Sequence, residues 1–181
     1  MNSFYNSEEL KGLGLKSYGQ NVLISRKASI YSPEIIEIGD NVRIDDFCVV
    51  SGKISIGNYV HINPHCGIFA GIEGVEIGNY VSFASKVTIY AISDDYSGEY
   101  LTSTLIPSSR SFMKYGKVNI GDYSILGVGV SVLHGIDIEE GTAVGAMSLI
   151  TSSTKPWSIY VGTPARFLKE RSRDMLENLN K

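Results

Sequence analysis

One feature limits what this chain can fold into more than any other: an apolar residue recurs at every sixth position. The series runs Ile38, Ile44, Val50, Ile56, Ile62 and Ile68, then Ile77, Phe83 and Ile89. It returns as Ile120, Leu126, Val132, Ile138, Val144 and Ile150. Four residues after most of them stands a small or β-branched residue or a cysteine, as in Val42, Cys48, Ile54, Val60 and Cys66. Ser124, Val130, Ile136, Thr142 and Ser148 repeat that spacing in the second tract. Glycine directly follows the apolar residue at Gly39, Gly57, Gly78, Gly121, Gly127 and Gly145. A six-residue unit reads as a short strand and a turn, with the apolar residue inward and glycine tolerating the turn's unusual dihedrals. Three units close a triangular coil, and stacked coils place parallel strands about 4.8 Å apart. Such a coil is stable only against its neighbours, as part of an array. A run of ordinary buried strands does not account for the phase.

Composition narrows the class. With 181 residues, 43% of them hydrophobic, the chain suits one domain with a real core. A formal net charge of -3 argues against both a disordered chain and a basic nucleic-acid platform. No apolar run approaches the roughly 18 residues of a membrane span, and the N-terminus lacks a secretory profile. Cys48 and Cys66 are no disulfide framework, so a cytoplasmic protein is expected. Walker loops, CxxC pairs and GxSxG elbows are absent from the sequence.

The period breaks twice. Phe69–Glu76 shifts the phase by three residues, and residues 91–117 interrupt it at length, with Asp94, Asp95 and Glu99 making that stretch acidic. A loop so long in a compact domain tends to be a lid or binding loop. Residues 1–20 are read as an N-terminal segment with a short helix over 7–18, Ser7 serving as N-cap. Residues 21–163 form the coil domain. In 164–181, Pro164 followed by Leu168, Met175, Leu176 and Leu179 at helical spacing predicts an amphipathic α-helix covering the last sheet edges.

These repeats, together with Val161–Glu170 (VGTPARFLKE), IGNYVHINPHC and IGNYVSFASKVTIY, resemble the hexapeptide-repeat acyltransferases, in particular the maltose and galactoside O-acetyltransferase group. The resemblance covers about residues 20 to 171. It implies an all-β, left-handed parallel β-helix with a long excursion loop and a C-terminal α-helix. It further implies a homotrimer that holds acetyl-CoA between subunits and passes the acetyl group directly to a sugar hydroxyl. A role in surface polysaccharide synthesis follows from the same resemblance, and a nucleotide-amino-sugar N-acetyltransferase is the alternative. No metal is expected.

Residue by residue, the resemblance places Asn63 at an acceptor-site asparagine, and Ala146 where the backbone meets the pantetheine arm. Thr151 and Ser152 fall at a Thr-Lys pair beside the cofactor, of which only Thr151 is retained. Arg166 matches a basic residue near the nucleotide end, with Lys169 nearby; cations there favour a 3′-phosphate. The family's catalytic histidine falls on Asp94, a weak base if solvated, since an unperturbed Asp titrates near about 3.9. His61 and His65, facing outward beside Ile62 and Cys66, are the alternatives, because imidazole titrates near neutrality. Asp94 or Asp95 then orients the histidine or binds the acceptor, with Tyr96 beside them. His134 reads as an exposed turn residue. Two further classes stay open: a non-catalytic trimeric scaffold, and a zinc carbonic anhydrase-like enzyme using the three histidines.

Overall fold

The computed structural model describes residues 3–103, 105–107 and 112–178. The apolar period becomes a triangular prism of stacked parallel strands, a left-handed β-helix, and the period alternates among its three faces. The first face carries Leu23–Ile24, Arg43–Ile44, His61–Ile62, Ser82–Phe83, Ile125–Leu126, Ala143–Val144 and Ser158–Gly162. The second holds Ser29–Tyr31, Thr88–Tyr90, Ser131–Val132, Leu149–Ile150 and the leading halves of Val49–Ile56 and Gly67–Ile77. The trailing halves of those two long strands join Ser17–Tyr18, Ile36–Ile38, Val118–Ile120 and Asp137–Ile138 on the third. Ile24, Ile44, Ile62, Phe83 and Leu126 form one fully buried interior column. The residues four positions on from the apolar series, including Cys48, Cys66, Ser124, Thr142 and Ser148, are buried beside it, as the period requires.

The glycines of the repeat have a different role from the one expected. Gly39, Gly57, Gly78 and Gly121 do not take up left-handed dihedrals; the strain falls instead on the residue just before the small interior one. That residue is Asn41 (φ 57°), Tyr59 (58°), Tyr80 (56°) and Tyr123 (61°) at the corner joining the third face to the first. Phe47, His65, Lys86 and Met147 occupy the same left-handed position at the next corner. The glycines are needed for close stacking. A Cβ on Gly57 would lie 2.7 Å from the Gly78 carbonyl oxygen of the coil above. The room so gained admits a ladder in which the Asp40, Asn58 and Asn79 backbone N–H groups donate to Asn58, Asn79 and Asp122 side-chain oxygens at 2.7, 2.8 and 2.7 Å. Left-handed tyrosines on successive coils stack as well, with Tyr59–Tyr80 centroids 4.8 Å apart and Tyr80–Tyr123 5.4 Å. Such pairs contribute about 0.5–1.5 kcal/mol each beyond their burial.

Three elements differ from the sequence expectation. The short break is no loop: Gly67–Ile77 runs as one continuous strand, its phase shift absorbed as an irregular register against Val49–Ile56. The N-terminal helix spans Ser7–Gly12 and its N-cap is Asn6, whose side chain accepts from Glu8 and Glu9 while Glu9 reaches back to the Asn6 N–H. This reciprocal capping arrangement satisfies three N–H groups, those of Asn6, Glu8 and Glu9.

Among the described residues the predicted C-terminal α-helix is absent. Ala165–Glu170 is a strand that turns back antiparallel onto Ser158–Gly162, and Asp174–Asn178 is a short 3-10 turn; Leu179 lies outside the described residues. The last coil presents open backbone groups that a strand satisfies and a helix does not. Gly162, at φ 103°, supplies the reversal.

Candidate active site

Every change of coil length falls at one corner, between the second and third faces. The 3-10 turn Pro33–Ile35, the irregular stretch of Gly67–Ile77 and the long excursion all leave there. The excursion opens and closes as a hairpin, Ile92–Asp94 against Met113–Tyr115, and its ends touch: the Gly116 N–H donates to the Ala91 carbonyl at 2.9 Å.

Of the acidic pair at its root, Asp94 is exposed and Asp95 is buried. The Asp95 carboxylate accepts the Ser97 hydroxyl at 2.8 Å and the N–H groups of Ser97, Gly98 and Tyr100. The hydroxyl contact, then the backbone donors, hold it below the ordinary carboxylate range despite desolvation. Asp95 therefore organises its own loop. Tyr96 beside it is almost fully exposed.

The histidines lie elsewhere. His61 sits on the outer surface of the first face, paired in register with Arg43 on one side and Ser82 on the other. Its Nε2 is 2.8 Å from Asp45 Oδ2, and Asp45 Oδ1 accepts Arg43 Nε at 2.7 Å. The His61 side chain is 40% exposed and that of Asp45 only 9%. Sequence reasoning missed Asp45. Coil register offers the signal: Arg43 is the rung partner of His61, and Asp45, two residues on, shares its outward side. Asn63 donates to the Phe83 carbonyl at 2.7 Å. His65 is at the next corner, exposed, its ring stacked on Phe47 at 5.0 Å. His134 follows Ser131–Val132 on the second face, apart from both. Among the described residues no three His, Cys, Asp or Glu side chains gather closely enough to hold a metal ion.

The residues assigned to coenzyme A fall at the far end of the prism. Ala146 is exposed between Val128 and Met147, two exposed apolar residues at the corner of the first and second faces. Thr151 is exposed just beyond Leu149–Ile150. Arg166 and Lys169 stand three apart on a strand, a spacing that ordinarily splits them between faces. A bulge prevents this: Arg166 pairs with Val161 and Lys169 with Ile159, so both share the outward side. His61, Ser82, Ile125, Ala143 and Ile159 therefore form one outer column that ends at these two cations. At roughly 4.8 Å per rung, the four steps from His61 to Ile159 span about 19 Å.

Among the described residues no strand pairing joins this column to the excursion. The first face is the side of the triangle opposite the corner from which the excursion leaves.

Comparison with known proteins finds relatives that span nearly the whole chain. Residues 35–70 match the family model described as bacterial transferase hexapeptide (six repeats). Over 178 residues the chain is 40% identical to the dTDP-4-amino-4,6-dideoxy-D-glucose acyltransferase of Escherichia coli, covering 97% of this chain and 92% of that protein. It is 31% identical, over 83% of its length and 76% of the relative, to the putative lipopolysaccharide biosynthesis O-acetyl transferase WbbJ of E. coli K12. Among solved structures, AntD, an N-acyltransferase from Bacillus cereus in complex with dTDP and 3-hydroxybutyryl-CoA, superposes with a TM-score of 0.96 at 46% identity. That match covers 99% of this chain and 96% of AntD.

Proposed function

Because the chain belongs to the hexapeptide-repeat acyltransferases, we propose that it moves an acyl group from a coenzyme A thioester to the amino group of a nucleotide-linked amino sugar. The carrying observation is the outer column of the first face, with a histidine at one end and two cations on one side at the other. The exposed apolar corner of Val128, Ala146 and Met147 suits a pantetheine arm, and Arg166 with Lys169 suits the phosphates of its nucleotide. Thr151 lies beside that end.

In the reaction the amine nitrogen forms a bond to the thioester carbonyl carbon, and the carbon–sulfur bond breaks with its electron pair on sulfur. The proton lost by the nitrogen passes to a base and restores the thiol. His61 is that base in our reading, with Asn63 beside it on the acceptor side. His65, held against Phe47 at the corner, is the less suitable of the two. Asp94 and Tyr96 meet the acceptor from a neighbouring subunit. In this reading the assembly is a homotrimer, in which the excursion of one prism faces the first face of its neighbour.

The amine is favoured over a hydroxyl by the likeness to acyltransferases of amino sugars. The relatives acting on dTDP-linked amino sugars match nearly the whole chain. A sugar hydroxyl is the second reading, supported by the likeness to WbbJ. The test supplies acetyl-CoA with dTDP-4-amino-4,6-dideoxyglucose or its 4-hydroxyl counterpart and follows thiol release. Turnover with the amine alone is expected; turnover with the hydroxyl alone reverses the assignment.

A further inference from the structure

We infer that Asp45 is a positioning residue that fixes His61 in the tautomer carrying its proton on Nε2, leaving Nδ1 free to take a proton from the acceptor. The inference deepens the reading of His61 as base and rests on it.

Asp45 is well anchored. Its backbone N–H donates to the Ile62 carbonyl at 3.0 Å, which ties it to the rung that carries His61. Arg43, which donates to Oδ1, lies over the Phe4 ring at 5.0 Å, and Phe4 is bridged to Ser25. An ionised carboxylate can only accept, so the ring nitrogen facing Oδ2 at 2.8 Å must carry the hydrogen. Nδ1 makes no hydrogen bond among the described residues. On the rung beyond, the facing residue is Ser82, so Arg43 and Asp45 are the charged groups beside the imidazole on its own face. A neutral histidine whose second nitrogen is held by a carboxylate has one defined lone pair to offer.

The geometry makes an asparagine substitution informative. In Asp45→Asn the amide oxygen stays with Arg43 Nε, which has to donate, and the amide NH₂ then faces His61 Nε2. That nitrogen becomes an acceptor, and the proton moves to Nδ1. Nδ1, still facing the acceptor, then carries the hydrogen and has no lone pair to offer.

The experiment records two-bond ¹⁵N–¹H correlations of the imidazoles at pH 8 for wild type, Asp45→Asn and Asp45→Glu, with His61→Gln identifying the signals. Transfer from acetyl-CoA to dTDP-4-amino-4,6-dideoxyglucose is measured in parallel. The expected wild-type state is Nε2–H. In Asp45→Asn it becomes Nδ1–H, and kcat falls by about 10²–10⁴-fold with little change in the KM for acetyl-CoA. Asp45→Glu, which keeps two acceptor oxygens, returns the Nε2–H state and part of the rate. An Nδ1–H wild type overturns the inference, as does an asparagine variant that switches tautomer and keeps its kcat. Should Asp45→Asn not fold, the wild-type spectrum and the glutamate variant decide alone. A wild type with the expected tautomer but no transfer to the amine removes the proposed acceptor and leaves the assignment of Asp45 standing.

Discussion

The first face and the corner opposite it obey different rules. On the first face seven rungs repeat the same two inward and outward positions, and the turn leading into each holds a left-handed residue directly before the small interior one. At the opposite corner the chain lengthens three times without disturbing the rungs on either side. The face is rigid because its packing is shared between coils; the corner is free because each added segment closes on itself. A binding groove assembled from both draws its fixed groups from the face and its adaptable ones from the corner.

Mixing subunits tests that division most severely. His61→Ala and Asp94→Ala proteins should each lose most activity, by roughly 10²–10⁴-fold for the base. Unfolded together and refolded, they should regain part of it, since one interface then joins an intact His61 to an intact Asp94. No recovery in mixed trimers would place both residues in the same chain's site. Removing residues 92–115 and joining Ala91 to Gly116 comes next. Those ends already touch, so the β-helix should keep its melting temperature within a few degrees while transfer disappears; a collapse of Tm would show that the corner is not separable.

Gly57→Val probes the face's side of the comparison. Its side chain has no room below Gly78, and overpacking of this kind costs about 1–3 kcal/mol, measurable by urea unfolding. An unchanged midpoint would mean the coils can separate locally.

The smallest effect concerns pH. The Asp95 carboxylate is held below its unfolded value by Ser97 and the backbone donors around it. Its contribution to loop order is complete above the unfolded carboxylate range and is lost as pH falls through the lowered folded value. Hydrogen exchange at Ser97, Gly98 and Tyr100 should accordingly quicken only in acid, and Asp95→Asn should show the fast rates already at neutral pH.

Much of the prism was legible because a period of six is a statement about position, and position decides burial. Ile62, Phe83 and Leu126 lie inside as their phase requires. Dihedrals are not encoded that way: Gly57 and Tyr59 stand two apart in the same turn, and only the stacked neighbour decides which is strained and which must be small. The C-terminal strand was hidden for a related reason. Leu168, Met175 and Leu176 have helical spacing, but the unpaired edge of Ser158–Gly162, distant from that local pattern, claims the segment first.

The site was partly legible. Family motifs single out Asn63, Asp94 and Arg166 from the sequence, and outward phase with imidazole chemistry singles out His61 and His65, whereas Asp45 becomes visible only once coil register brings it beside a residue sixteen positions later. The Leu168 bulge, which sets Arg166 and Lys169 on one side, has no counterpart in helical spacing.

The antiparallel return of Ala165–Glu170 has a consequence for assembly. A stack of parallel rungs is a polymerisation template: the last rung of one molecule matches the first of the next, and head-to-tail addition would build an open filament. On the first face this chain ends with a strand of reversed direction, bearing Arg166, Lys169 and Glu170. A strand from a second molecule meets a reversed strand and a row of charges in place of a matching parallel rung. On the first face, continuation of the stack by a matching parallel rung is thereby blocked.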